Sequence, residues 1–487
     1  MRKTLTAILA ISVLIAGVNL TRKVWLETEK NPNETFKALS QSPSRTVQNP
    51  KSNGYLLLLG FATAPSFDPV QTGYEIWLEV ESIPGQGFFD YGREPRLQLR
   101  VEGDSLSAVQ TWRLPDTPLQ VQTQGDLLRP LTAQHAVLLD RYRQWLSMPF
   151  FEDWGYGHPG SPRFQDLYVA HRLYVAEGFS LNLASGVDRL LKDLSAWRTV
   201  MAKATTLPVK MAAAGMVEDD VLLVSALLRR PDFDDDLLSR LDSAIRPLNK
   251  AERSLYWPIQ NEFTLGVSRY ERSWNGNDGL KREESDSNKR WVAALTGLDQ
   301  DAFQKVEFPP PKSPLARVPA QEQKTLNVYA DYSEALMKAT EVPNSPLPKL
   351  RDFAQASHHA FLDYLVSPID NIFASAVEPA WKPFIDRLLE TDARLRLAAL
   401  QSRLRRPAHE QSVPSRIAQG GLGFYDPFSG LPMLWNPATG QLYSVGKDGK
   451  DDSGDITLDI AVSTSLGMTT ASNASVPPAS KVHGRAP

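Results

Sequence analysis

The sequence predicts a mainly α protein: an irregular helical bundle or array behind an N-terminal membrane helix, with a small β-containing C-terminal module. Three observations lead there. Apolar residues recur at helical spacing through most of residues 131–265, the apolar run Thr4 to Leu20 is bracketed by basic residues, and from Gly420 the texture turns to Gly, Asp and Pro with short β-like runs. Sustained 3.6-residue periodicity over segments joined by short turns is the signature of packed helical hairpins. At 42% hydrophobic and 22% charged residues, the 487-residue chain has enough apolar surface to bury a core.

The elements follow in order. Met1-Arg2-Lys3 precede the run Thr4 to Leu20, and Arg22 and Lys23 close it. As a helix the run is about 25 Å long, at the short end of what crosses a hydrocarbon core of ~30 Å. Basic residues directly after it and the absence of a clean Ala-x-Ala site predict a retained signal anchor over residues 1–21. A cleaved signal peptide ending near Ile15-Ala16-Gly17 and a buried hydrophobic helix are the competing readings. The short positive flank points the N-terminus to the cytoplasm and the bulk of the chain outside, single-pass in the inner membrane.

Residues 22–52, rich in Asn, Ser and Pro, read as a stalk and linker. A helical body spans 53–300. Tyr55 to Leu59 form a compact apolar run, and Asp68-Pro69 predicts a helix start, Asp as cap and Pro in the first turn. On that helix Val70, Tyr74, Trp77 and Glu81 share a face. Leu97 to Val101 alternate as a short strand would. Residues 270–291 are polar and read as a mobile loop, and 301–320 form a Pro-rich link. A second helical segment covers 321–406, with helices over about 321–338, 350–366 and 382–405. In the last of these, Ile385, Leu389, Ala393, Leu397, Leu400 and Leu404 make one stripe, opposite Arg387, Arg394, Arg396 and Arg403. Residues 407–462 form the β module and 463–487 an aperiodic tail without the makings of a core.

Within the module, Tyr425-Asp426-Pro427-Phe428-Ser429-Gly430-Leu431-Pro432 is followed by Leu434-Trp435-Asn436 and then by Gly440 to Ile456. Physically these are two short strands around turns and a Gly-punctuated loop carrying Asp448, Asp451, Asp452 and Asp455. Four carboxylates so close repel unless solvated or bridged by a cation, and Ca²⁺ takes six to eight oxygens from carboxylates and backbone carbonyls. The Asp-Pro-Phe-x-Gly-x-Pro turn and the Leu-Tyr-Ser-x-Gly-x-Asp-Gly-x-x-Asp run resemble the C-terminal part of type II secretion pseudopilins. The resemblance implies a small antiparallel sheet behind a long helix and a structural calcium held chiefly by Asp448 and Asp455, with Asp451 and Asp452 as further candidates. The likeness covers about 80 residues. Residues 1–20 lack the family's prepilin-peptidase pattern, and the hydrophobic helix lies far upstream of the long one. The module therefore reads as pseudopilin-like but built into a large anchored chain; the competing reading of the acidic loop is a plain solvated turn, since its side chains alone supply fewer than six ligands. The body resembles only membrane-anchored envelope proteins of bacteria, which implies no activity.

The remaining motifs are thin. Gly103-Asp104-Ser105-Leu106-Ser107 matches the nucleophile motif of GDSL-type esterases, but the chain has no Asp-x-x-His to activate Ser105. Glu152 and Asp153, beside Trp154 and Tyr156, would suit acid/base work on a carbohydrate if they converged with a substrate. The histidines at 135, 158, 171, 358, 359, 409 and 483 form no spaced ligand set and read as surface or core-edge residues. With no cysteine, disulfides, Cys-based metal sites, covalent haem and thiol catalysis are excluded. The balance of 53 Lys and Arg against 56 Asp and Glu, a formal charge of −3, excludes a globally basic nucleic-acid coat. The expectation is a non-enzymatic, anchored extracytoplasmic protein, a scaffold or accessory part of an envelope assembly with protein partners. The alternative is an exported hydrolase using Ser105 or the Glu152/Asp153 loop.

Overall fold

Short polar side chains set where the helices begin, because the first N–H groups of a helix have no partner within it. Asn33, Asn53, Asp68, Asn182, Asp234, Asn249 and Ser412 each accept a backbone N–H at a helix start. The computed structural model describes residues 31–47, 49–81, 94–99, 125–158, 160–230, 233–274, 322–342, 346–349, 353, 381–406 and 411–464. Its helices are α1 (Glu34–Leu39), α2 (Gly54–Leu59), α3 (Pro69–Glu81), α4 (Gly125–Gln134), α5 (Ala136–Trp145), α6 (Phe164–Leu181) and α7 (Leu183–Lys203). They continue as α8 (Leu207–Leu227), α9 (Asp235–Ala244), α10 (Lys250–Arg253), α11 (Tyr256–Trp274), α12 (Glu322–Glu341), α13 (Lys382–Arg405) and α14 (Val413–Ala418). Strands β1 (Leu434–Asn436), β2 (Gln441–Ser444) and β3 (Ile460–Ser463) make one antiparallel meander. The described fold is thus mainly helical with one small sheet.

The core is built around α8. From Val209 to Leu227 every residue except Leu222 is buried, Lys210, Glu218, Asp219 and Asp220 included, so the helix is enclosed on all sides. Helices α7 and α13 flank it, and α6 packs on α7. Trp145 and Trp197 meet at 4.8 Å between α5 and α7. Helices α2 and α3 cross at two glycines, where a Cβ on Gly60 would press into the backbone of Pro69 and one on Gly73 into that of Leu56. Only hydrogen fits on either side of that crossing.

Several expectations need correction. Residues 31–47 are no free stalk: Asn33 bonds Asn327 and Asp331 on α12, Gln260 on α11 donates to Leu39 O and Gln41 O, and Glu152 accepts from Thr46 and Val47. The polar residues that read as linker are the groups that tie this strap down. The second helical segment is not separate either. Tyr329, Leu336, Phe384, Leu388, Leu395 and Ala398 belong to the same apolar core as α6–α8. On α13, Phe384 and Leu388 are buried while Ile385 and Leu389 are half-buried, and Arg387 and Arg396 of the face opposite the apolar stripe are buried too. Glu218 at 2.6 Å and Asp392 at 2.6 Å supply the counter-charges, which is what burying a cation requires. The helix therefore has no wet side over much of its length.

Residues 97–99 are irregular, not a strand, although Leu99 N bonds Ala62 O at 2.8 Å. The module has a third strand, because Ile460 and Val462 alternate inward and pair with β2 through Ser444 and Leu442. The module accordingly extends through Ser463 and Thr464, and the Thr464 N–H reaches Gly440 O at 2.9 Å. The membrane helix over 4–20, Ser105, the loop after 274, the Pro-rich link, the helix over 350–366 apart from residue 353, and the tail beyond 464 lie outside the described residues. Among the described residues no helix is long and apolar enough to cross a membrane.

Candidate functional site

The densest chemistry lies inside the helical body. His171 on α6, Asp193 on α7 and Asp219 and Asp220 on α8 are all fully buried. These polar residues interrupt otherwise apolar buried faces: Asp193 sits one turn from Leu190 and Trp197 on the buried side of α7. His171 Nδ1 lies 2.5 Å from Asp193 Oδ2. Tyr142 from α5 donates its hydroxyl to Asp193 Oδ1 at 2.5 Å, and Trp197 Nε1 donates to the Tyr142 oxygen at 2.6 Å. Asp219 Oδ2 takes two bonds from Arg172, at 2.8 and 2.6 Å, and stands 3.9 Å from His171 Nε2.

Asp220 is different from its neighbours. Neither of its carboxyl oxygens receives an N–H hydrogen bond, and His171 Nε2 has no partner within hydrogen-bond reach. Burial first, then the charge of Asp193 and a hydrogen bond shared with its carboxyl, then the charge of Asp219, push the Asp220 carboxyl well above the ordinary carboxylate range. Burial and Asp193 likewise push the Tyr142 phenol up. Ligand atoms of His171, Asp193 and Asp220 all lie within 4.8 Å of one another, and no other three or more His, Asp or Glu side chains come together this way among the described residues.

A second buried group is Lys210 on α8. Its Nζ donates to Met201 O at 2.7 Å and Ala251 O at 3.1 Å, and burial lowers its pKa to about 7. Those bonds tie the α7 end and α10 to α8, so the amine is a strut inside the body.

The carboxylates singled out in the sequence are spoken for. Glu152 accepts from Thr46 N, Thr46 Oγ1, Val47 N and Trp154 Nε1, fastening the N-terminal strap. Those bonds outweigh its partial burial and hold its carboxyl below the usual range. Asp153 is buried and accepts from Gly155 N, Thr205 N, Thr206 N and Thr206 Oγ1 at the start of α8. The pair is structural mortar between strap, loop and helix. His158 stacks on Trp77 at 5.7 Å and binds backbone on both ring nitrogens, while burial lowers the pKa of His135.

In the module, Asp448, Asp451 and Asp455 each close a local turn, onto Lys450 N, Ser453 N and Thr457 N, and Tyr443 also donates to Asp451. Asp452 contributes its backbone N–H to Asp459, a residue the sequence reading passed over. Asp459 Oδ2 also accepts from Gly454 N, whereas its Oδ1 is buried without a hydrogen bond. Burial, then the charges of Asp452 and Asp451, raise the Asp459 carboxyl. Asp426, from the Asp-Pro-Phe turn, is buried and accepts from Phe428 N, Ser429 Oγ, Ser444 Oγ and Val445 N. It pins the turn to the end of β2.

Sequence reasoning missed the interior cluster. Its signal was present: three consecutive acids, Glu218-Asp219-Asp220, interrupt an apolar run that is otherwise core. Compared with known proteins, the chain matches no family model, no curated protein and no solved structure.

Proposed function

We propose that the chain is a non-enzymatic, inner-membrane-anchored extracytoplasmic protein, a scaffold or accessory component of an envelope assembly that works through protein contacts. The observation that carries this reading is the double role of α13. Phe384, Leu388, Leu395, Ala398 and Ala399 pack into the body, while Ala393, Leu397, Leu400 and Leu404 pack against the module with Ile417, Leu442 and Val462. Gln401 bonds Ser225 of α8 and Ser463 O of β3 at once, and Arg396 holds both Asp392 and Tyr425 O. Module and body are welded by one helix, which suits transmission of position better than turnover of a substrate. The module also exposes Leu422, Leu431, Ile456 and Leu458, apolar side chains of the kind that protein contacts cover. With residues 4–20 in the membrane, the stretch from Thr21 to Asn33 spans no more than about 45 Å, so the strapped body works close to the bilayer.

The module is pseudopilin-like in this reading, and Ca²⁺ would draw together the aspartates of its acidic loop, which close separate turns without it. Asp448, Asp451, Asp452 and Asp455 would hold the ion, and Asp459, whose Oδ1 is buried without a hydrogen bond, binds the backbone N–H of Asp452 in the same loop. Calcium at ~100 times its dissociation constant would stabilise the folded form by about 2.7 kcal/mol. Melting of the full chain should shift upward with Ca²⁺ and not with Mg²⁺, which demands a smaller octahedron. Coincident curves with Ca²⁺ and with chelator, or an undiminished shift in Asp448→Ala and Asp455→Ala, would leave the loop as a solvated turn.

Because the chain has no cysteine, single Cys substitutions test the contact reading in cells. A thiol-directed cross-linker at Leu422→Cys or Ile456→Cys should give one discrete adduct with a second polypeptide, and Ser239→Cys on the exposed side of α9 should give none. Ester or glycoside hydrolysis by the purified chain, abolished by Ser105→Ala or Glu152→Gln, would replace the scaffold with the hydrolase reading.

A further inference from the structure

We propose that His171, Asp193 and Asp220 bind a divalent first-row transition-metal ion in the interior of the helical body, between α6, α7 and α8. The three side chains come from three helices, their ligand atoms lie within 4.8 Å of one another, and all three are fully buried. Zinc–ligand distances of ~2.1 Å place donors roughly 3–4 Å apart, so movements of about an ångström close the shell.

Two features argue for a ligand beyond the grouping itself. Asp220 is fully buried and receives no N–H hydrogen bond on either oxygen, and its carboxyl lies against that of Asp193. Interiors seldom leave carboxylate oxygens so. A divalent ion resolves both the missing donors and the charge: two carboxylates and a neutral imidazole around a 2+ ion sum to zero. One nitrogen and two oxygen donors favour a transition ion over Ca²⁺ or Mg²⁺, which take oxygen shells. The ion would take the place of the hydrogen between His171 Nδ1 and Asp193 and bring Asp220 in as a carboxylate, so that protons compete with it for the site. His171 Nε2 then keeps its hydrogen toward Asp219 Oδ2, 3.9 Å away. Tyr142, itself held by Trp197, orients Asp193 from behind, the outer-sphere arrangement that ligand residues generally have.

The interior position means that the ion is taken up as the chain folds. Full-length protein in detergent is therefore refolded with Zn²⁺, with Co²⁺ or with chelator, and then gel-filtered. About one ion per chain should remain, the cobalt form should show tetrahedral d–d absorption, and the metal-loaded forms should melt several degrees above the chelator preparation. Asp220→Asn and His171→Gln should each lose the ion and the melting difference, while Asp448→Ala and Asp455→Ala keep both. The cobalt spectrum of the unaltered chain stands even where a variant fails to fold. Ion content below about a tenth per chain with coincident melting curves, or an ion lost with Asp448→Ala and kept with Asp220→Asn, would overturn the proposal and leave a carboxyl pair sharing a proton.

Discussion

Gly73→Ala should destabilise the body by about 3 kcal/mol. Two effects oppose each other at this position. Alanine is the better helix former by roughly 1 kcal/mol, and on an exposed helix that would win. Here the added methyl group presses into Leu56 O and lies 2.9 Å from Gly60 N. Both neighbours are backbone and cannot rotate away, so α2 and α3 must separate. The separation opens the pocket that buries Leu56, Leu57 and Ile76. Urea denaturation of the full chain measures the loss. A midpoint equal to or above that of the unaltered protein would mean that the helices do not cross this closely.

The second large effect concerns the seam between α8 and α13. Glu218 meets Arg387 Nη1 at 2.6 Å and Arg394 Nε at 3.3 Å, with Glu218 and Arg387 both buried. Glu218→Ala removes the nearer negative charge, leaving buried Arg387 with Glu390 at 3.7 Å and taking the carboxylate from beside Arg394, the more exposed of the two. Breaking a buried pair from one side costs about 3–5 kcal/mol. Arg387→Met alone should be similarly harmful, because it leaves Glu218 with the more distant cation. The double replacement Glu218→Met with Arg387→Met removes both charges and keeps the volume, and should recover most of the loss. Additive losses in the double variant would show that the two residues do not act as a pair.

These two sites mark where the sequence was readable and where it was not. Local signals were legible: Asp68-Pro69 announced α3, and the apolar periods over 131–265 announced the helices of the body. The long helix from Lys382 to Arg405 was placed within a residue. Partnership across the chain was not legible. Arg387 looks like a solvent residue until α8 brings Glu218 beside it, and no spacing within α13 betrays that. The strap over 31–47 read as linker for the same reason, since the partners of Asn33 lie on α12. The cluster of His171, Asp193 and Asp220 draws one residue from each of three helices, so no motif could contain it. What the sequence offered was weaker, namely acids at positions where the apolar period called for core. Glu152 and Asp153 show the converse: carboxylates beside aromatics offered an acid/base pair only if they met a substrate, and in the fold they accept from backbone and side-chain donors of the strap and of the start of α8.

The central claim, that a membrane-held chain presents its body and module outside the cytoplasm, is tested most directly by labelling. Lys450 is exposed on the module, and Lys450→Cys supplies the only thiol in the chain. In bacteria with a permeabilised outer membrane, a membrane-impermeant maleimide should label that position fully while the inner membrane is intact, and the labelled chain should stay in the membrane pellet after carbonate washing. Labelling only after the inner membrane is broken, or recovery of the labelled chain in the soluble fraction, would contradict the account.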